Sequence, residues 1–282
     1  MSPTQTQMTR EYFRIPLSAL LATWLLTGCL VLMGCDEDQP TEELPDTVLQ
    51  IAIDPNYPPF EFVDPASGKV VGFDIDLILE VCDRNGWIPD FIEMPFAELL
   101  AAVATRSVDA AVSAVSITPQ REALVAFSDP YYLSQLAVCV LAEDTTIGGI
   151  GDLRGKRIGV LSGTTSEALA KAGRGVLVFP FSSIEQAFNA LRRGEIEAVI
   201  NDYATSATLV RDSTQVRLIM CVDDLEFYGI AVNRADSARL ETINYTLAEM
   251  MGDGTIDSIH QRWFSRPMFE PRSHSSDSLS PQ

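Results

Sequence analysis

The sequence predicts an α/β fold built as two lobes, each an open sheet with helices on its faces. Three observations carry this. Short apolar runs of strand length alternate with stretches of helical spacing from Val48 onward. The alternation breaks over the polar, glycine-rich residues 142–151 and then restarts. The halves also echo each other: Ser107–Ser113 (SVDAAVS) matches Glu195–Asn201 (EIEAVIN), each after an amphipathic helix.

The first strand is Val48–Ile53, ended by the stiff loop Asp54-Pro55-Asn56-Tyr57-Pro58-Pro59-Phe60. A hairpin follows, Glu61–Val63 with Val70–Val71, turning at Ser67-Gly68. Gly72-Phe73-Asp74 opens a helix with Ile75, Ile78, Leu79 and Cys82 at helical spacing, and Asn85-Gly86 closes it. Asp90–Glu93 reads as a strand, Phe96–Thr105 as a helix and Val108–Val115 as a buried strand. Thr118 then suits an N-cap and Pro119 the first helical position. A turn at Ala126–Tyr132 leads into the strand Leu136–Leu141.

After the break, strands are expected at Lys156–Leu161, Gly175–Phe179, Ile196–Ile200, Val216–Met220 and Tyr228–Val232. Helices are expected at Ser166–Ala172, Ser183–Arg193, Tyr203–Arg211, Ala238–Met251 and Thr255–Phe264. Residues 267–282, rich in Ser, Pro and charge, are expected to be a disordered tail.

The 282 residues are 46% apolar, enough for two cores. A net charge of −19 argues against a nucleic-acid partner, without arguing for a cationic ligand. Arg10 and Arg14 precede an apolar run from Ile15 to Met33, which reads as a secretory signal. Leu26-Thr27-Gly28-Cys29 and Leu32-Met33-Gly34-Cys35 both resemble the lipobox of bacterial lipoproteins. Cys35 is favoured because the apolar run stops there and a polar tether follows; Cys29 is the alternative, and an uncleaved membrane anchor is a second one. The expected division is a lipoprotein signal over 1–35, a tether over 36–46, one lobe from 47–134 plus 231–266, and the other from 135–230. Of the remaining Cys82, Cys139 and Cys221, an odd number leaves at least one unpaired, and Cys139–Cys221 is a possible bridge. With two histidines and no CxxC, neither a metal site nor a cofactor is expected.

Arg121 falls in the first turn of its expected helix, where a cation opposes the helix dipole. Placed just past a strand with free hydroxyls, it suggests a partner anion. The alternative is a surface arginine paired with Glu122 or Asp129. Ligands of open α/β sheets sit beyond the C-terminal ends of the strands. By that rule Asp54–Tyr57, Ser113–Arg121, Ser162–Thr165 and Asn201-Asp202 converge on one cleft between the lobes.

In order and spacing, these segments resemble the periplasmic amino-acid-binding proteins of ABC importers, solute-binding family 3. The resemblance spans about Val48 to Phe264. Its carriers are DPNYPPFE (54–61), GFDID (72–76), SITPQR (116–121), FSDPY (127–131), GTT (163–165), Asn201-Asp202 and GDGT (252–255) before Trp263-Phe264. It implies a two-lobed, type II periplasmic-binding-protein-like fold, two open α/β sheets joined by two hinge strands near Ser134–Leu136 and Phe227–Ile230. It also implies a monomer on the periplasmic or cell-surface side, tethered by lipid and delivering a free L-amino acid to a membrane permease.

The resemblance gives Arg121 the ligand α-carboxylate, helped by backbone N–H groups near Ser116 and by Thr164-Thr165 at a helix N-terminus. It gives Asp202 the α-ammonium, with Ser113 and the Ala114 backbone nearby. Tyr57 and Phe96 would sandwich the side chain, and Asp54 and Leu161 stand where relatives set specificity, here for a polar neutral or basic ligand. Residue by residue, plainer roles compete: Asp202 or Thr165 as helix caps, Tyr57 and Phe96 as core, Asp54 as the holder of its own turn. The fold also serves periplasmic cyclohexadienyl dehydratases, which carry an acid on the helix after the Asp202 position. Tyr203, Ala204, Thr205 and Ser206 offer none, and Thr165 stands where those enzymes have Asn, so no catalytic residue is expected. A ligand-sensing module for a signalling receptor is the other alternative.

Overall fold

The computed structural model describes residues 47–264, apart from the side chains of 220–224. The expected signal (1–35) with Cys29 and Cys35, the tether, the tail and the side chain of Cys221 lie outside the described residues. The described residues belong to one compact unit.

The first sheet is built from β1 (Val48–Ile53), β5 (Ile88–Glu93), β6 (Ala110–Ala111), β7 (Ala126–Phe127) and β13 (Ala231–Val232), in the order β5-β1-β6-β13-β7. β1 runs parallel to β5 and β6, and β13 runs antiparallel to β6 and β7. Its two faces follow the period-2 rule. Leu49, Ile51 and Ile53 pack with Ile75, Ile78 and Cys82 of α1 (Phe73–Asn85). Ala52 faces the other way, onto Leu99 and Val103 of α2 (Phe96–Ala104). A three-stranded sheet of β2 (Asn56–Tyr57), β3 (Glu61–Val63) and β4 (Val70–Val71) extends this lobe.

The second sheet is β10 (Leu177–Phe181), β9 (Arg157–Leu161), β11 (Ala198–Asp202), β8 (Tyr132–Leu141) and β12 (Val216–Tyr228), in that order. The first three are parallel, and β8 and β12 are antiparallel additions. One face packs on Ile184, Ala187, Phe188 and Leu191 of α5 (Ile184–Arg192). The other carries Ile158, Val160, Ala198 and Ile200 against Ala170 of α4 (Thr165–Ala172).

β8 and β12 are the physical link between the sheets. They stay paired from Val216↔Leu141 to Tyr228↔Tyr132, with a register shift between Met220 and Leu225. Beyond it they meet the first lobe: Ile117 N–H donates to the Phe227 carbonyl at 2.7 Å, and Gly229 N–H to the Val115 carbonyl at 3.1 Å.

Three expectations change. The strand expected over 108–115 is regular only at Ala110–Ala111, because Ala114 takes a left-handed φ of 46° and turns the chain out of the sheet. The separate strands expected at 216–220 and 228–232 are instead the long β12 and the short β13. The strand expected to end at Phe179 continues through Pro180, which an edge strand such as β10 tolerates. Among the described residues no helix is long and apolar enough to cross a membrane.

Gly72, which opens α1, has φ 145°, and a Cβ there would lie 2.0 Å from the Phe60 carbonyl oxygen. Gly72→Ala is therefore expected to destabilise the fold by about 2–4 kcal/mol, read from its urea midpoint. A wild-type midpoint would show that the Phe60–Glu61 backbone can move aside.

Candidate functional site

The C-terminal ends of β1, β6, β9 and β11 meet at a narrow cavity of about 10 Å³. Its lining comes from both sheets. Asp54, Tyr57, Phe96, Ser113, Ala114 and Ser116 face Leu161, Thr164, Ile184 and Asp202 across it. The lobes are shut: α5 touches β2, and a Cβ on Gly163 would lie 3.0 Å from Ala97.

Arg121 sits at the rim of this closure. Thr118 caps the short helix α3 (Pro119–Glu122), accepting from Arg121 N–H at 3.3 Å. The guanidinium folds back over the Phe96 ring, 5.3 Å from its centre. One N–H donates to the Ser116 carbonyl at 2.8 Å and another, across the cleft, to the Gly163 carbonyl at 3.2 Å. A guanidinium has five donors, so it retains N–H groups for an anion. It pairs with neither Glu122 nor Asp129: among the described residues no carboxylate lies within salt-bridge distance of it. The dipole argument that singled it out does not hold, because a four-residue helix has too little dipole to oppose.

Asp202 ends β11 on the opposite jaw and is buried. It stands at the cap position of α6 (Tyr203–Val210), but its side chain makes no cap hydrogen bond. Its carboxylate instead accepts from Ser134 Oγ at 2.9 Å and, from the other lobe, from the Tyr57 hydroxyl. Tyr57 Oη also lies 2.7 Å from Asn201 Oδ1, so Tyr57 bridges the lobes as well as packing in the core. Tyr228 donates to Ser134 Oγ at 2.9 Å, so both hinge strands support this carboxylate. Burial pushes the Asp202 carboxyl up, while the Tyr228, Tyr57 and Ser134 hydroxyls and the Arg121 charge hold it down.

The serine segment rests on two buried carboxyls. Ser113 Oγ donates to Glu61 Oε1 at 2.7 Å and accepts from Asp54 N–H at 3.2 Å. Ala114 N–H donates to Asp74 Oδ2 at 2.6 Å, and the Tyr131 hydroxyl to the same oxygen at 2.8 Å. The Ser113 hydroxyl proton and the Ala114 N–H are thus committed within the lobe. A proton between Glu61 and Asp74 satisfies both Glu61 Oε2 and Asp74 Oδ1, which are buried with no other partner. Burial pushes Asp74 up to about 6 and Glu61 well above its ordinary range, with the Asp74 charge adding to the latter.

Asp54 does hold its own turn, accepting from Asn56 Nδ2 at 2.7 Å, but its other oxygen accepts from Phe96 N–H at 3.0 Å at the start of α2. On the second jaw the cap of α4 is Thr164, which accepts from Glu167 N–H at 3.3 Å; Thr165 is the first helical residue. Thr164 Oγ1 also donates to the Leu161 carbonyl at 2.7 Å. Ser116 Oγ and Thr165 Oγ1, one from each lobe, both donate to Glu226 Oε2, at 2.6 and 3.0 Å.

The sequence profile of the bacterial extracellular solute-binding proteins, family 3, matches residues 49–266. The chain belongs to this family. It is 32% identical over 222 residues to the Escherichia coli ABC transporter arginine-binding protein 1, covering 77% of this chain and 90% of that one. It is 30% identical over 227 residues to the Salmonella typhimurium histidine-binding periplasmic protein, covering 77% and 87%. Among solved structures, an ancestral arginine-binding protein bound to glutamine superposes with a TM-score of 0.75 at 35% identity, covering 79% of this chain and all of that one.

Two carboxylates of this family-3 cleft escape a reading of the residues alone. Glu61 lies in a hairpin beside aromatic residues, where an alternating pattern suggests solvent, yet it is fully buried. The signal was the two-residue β2, whose pairing Tyr57↔Glu61 places it beside the cleft. Glu226 follows Asp223 and Asp224 and looks like part of a solvated acidic run.

The carboxyl pair sets a pH dependence. Asp74 holds a proton in the folded protein up to about pH 6, while the unfolded chain releases it near pH 4. Its contribution is complete below pH 4 and is lost as pH rises through about 6. Glu61→Gln, which donates to Asp74 at every pH, is expected to flatten that fall in urea midpoints measured from pH 4 to 8. An unchanged slope would show that the two carboxyls do not share a proton.

Proposed function

We propose that this protein is the extracytoplasmic substrate-binding component of an ABC importer, and that it captures a basic L-amino acid, arginine foremost, between its lobes. The observation that carries the reading is the opposition of Arg121 and Asp202 across one closed cleft, cation on one jaw and carboxylate on the other. A zwitterion has the complementary charges. Its α-carboxylate would meet Arg121, and a charge-assisted hydrogen bond of this kind contributes about 1.5–3 kcal/mol. Its α-ammonium would meet Asp202, with the Ala114 carbonyl alongside.

Tyr57 and Phe96 supply aromatic walls for the side chain, and Leu161 an apolar floor from the second lobe. Asp54 faces the same cavity as a carboxyl, which favours a cationic side chain and disfavours an acidic one. The names of the relatives, arginine- and histidine-binding, support the same class. The glutamine complex of the ancestral protein favours a polar neutral ligand as the second choice. The lobes, residues 47–134 with 231–266 and residues 135–230, would part about β8 and β12 to admit the ligand. No general acid stands on α6, and the reading is of binding without catalysis. The protein would act as a monomer outside the cytoplasmic membrane, tethered through lipid on Cys35 and delivering to a permease.

A thermal-shift panel of the twenty amino acids tests the reading. L-arginine at about 100 times Kd is expected to stabilise the protein by about 2.7 kcal/mol, and no shift with any amino acid at millimolar concentration would contradict it. Arg121→Ala is expected to lose the shift and keep the fold. Retained affinity would remove Arg121 from the carboxylate role. Cys35→Ala is expected to move the protein from the membrane to the soluble fraction, whereas Cys29→Ala leaves it bound; the reverse result would assign the lipid to Cys29.

A further inference from the structure

Two hydroxyls beside the groups assigned above to a ligand's carboxylate already hold one. Ser116 Oγ from the first lobe and Thr165 Oγ1 from the second converge on a single oxygen, Glu226 Oε2, at 2.6 and 3.0 Å. Arg121 lies beyond salt-bridge distance of it, yet the Glu226 charge is the largest influence favouring the protonated guanidinium. Hydroxyl donors from both jaws with a guanidinium beside them form a carboxylate seat.

Glu226 lies at the hinge end of the second lobe, away from the strand ends that form its jaw. It lies on β12, one residue past the register shift between Met220 and Leu225 and opposite Ser134 of β8. This is the pair of strands that links the sheets. Its side chain therefore reaches the seat from the hinge, and its position depends on how the hinge is set.

We propose that Glu226 is an internal occupant of the anion subsite, a hinge-borne carboxylate that the α-carboxylate of the ligand must displace. The inference rests on the amino-acid reading of the cleft for its second half, the displacement, but not for the occupancy. In this closed form the bridge Ser116–Glu226–Thr165 ties the jaws together beside the half-buried guanidinium. When a ligand arrives, two carboxylates cannot share one seat in a desolvated cleft, because like charges at such separations repel strongly. Asp202, also close to Glu226, adds to that repulsion. The affinity for an amino acid is then set partly by how readily Glu226 leaves, as for any site whose competent state is only a fraction of the population.

The test uses Glu226→Ala, with Glu226→Gln as a variant of the same shape, and two probes. Sodium acetate, a bare carboxylate, reads the vacated seat without any amino acid. It is expected to raise the Tm of ligand-free Glu226→Ala by about 2 °C, and to leave the wild type and the double variant Glu226→Ala/Arg121→Ala unchanged. L-arginine, titrated calorimetrically, reads the competition: Glu226→Ala is expected to bind about tenfold more tightly than the wild type, with Glu226→Gln in between. If acetate shifts no variant, or if arginine binds Glu226→Ala no better than the wild type, the proposal is overturned and the amino-acid reading stands on its own panel. If acetate stabilises Glu226→Ala while no protein responds to any amino acid, the occupancy stands and the amino-acid reading falls.

Discussion

Asp202 is a carboxylate shut inside a cleft, and much of the surrounding architecture answers to that charge. An unpaired buried carboxylate is costly enough that it must be protonated or surrounded by donors. The protein surrounds it. Ser134 comes from one hinge strand and Tyr228 from the other, while Tyr57 and Arg121 come from the opposite lobe. These hydroxyl donors and the Arg121 charge are all present together only when the lobes are closed. Opening would strip Asp202 of Tyr57 and of the Arg121 field, and water would replace them. The energy difference between open and closed forms is therefore held in a few charged contacts, which a ligand of matching charge can tip.

The remaining charges follow the same logic at one remove. Ser113 and Ala114, at the cleft edge, are fixed from behind by Glu61 and Asp74. That support allows Ala114 its left-handed backbone, which turns the chain from β6 toward Arg121. Phe96 is fixed in turn by Asp54 at the start of α2, and its ring carries the Arg121 guanidinium. Among the described residues the cleft sets Arg121 against the carboxyls of Asp54 and Asp202, an asymmetry that a ligand with one α-carboxylate and a cationic side chain would match.

Much of this was legible in the sequence, for uneven reasons. Alternation and restart gave the two sheets because period-2 and period-3.6 burial leave direct marks, as at Ile51, Ala52 and Ile53 or at Ile184, Ala187, Phe188 and Leu191. The rule that ligands gather beyond strand ends places Asp54, Ser113, Thr165 and Asp202 together from the sequence alone. Arg121 was picked out for a reason the four-residue helix α3 does not support, and its position stands on the contacts it makes. Asp202 taken alone resembled a cap, since sequence distinguishes a capping carboxylate from a cleft carboxylate only through distant partners. Glu61 and Glu226 stayed hidden for the same reason: Glu61 is held by Ser113, and Glu226 by Ser116 and Thr165, partners more than fifty residues away in sequence. The length of β12 was obscured by its acidic middle, and β10 by a proline that only an edge position permits.

The central claim is that the cleft reads both charged ends of an amino acid at once. Calorimetric titration of L-arginine against its decarboxylated and its deaminated analogues separates those ends while keeping the guanidinium. Loss of either end is expected to weaken binding at least about tenfold, the equivalent of about 1.4 kcal/mol for one charge-assisted contact. Binding of either analogue as tight as that of L-arginine would contradict the opposition of Arg121 and Asp202 on which the account rests.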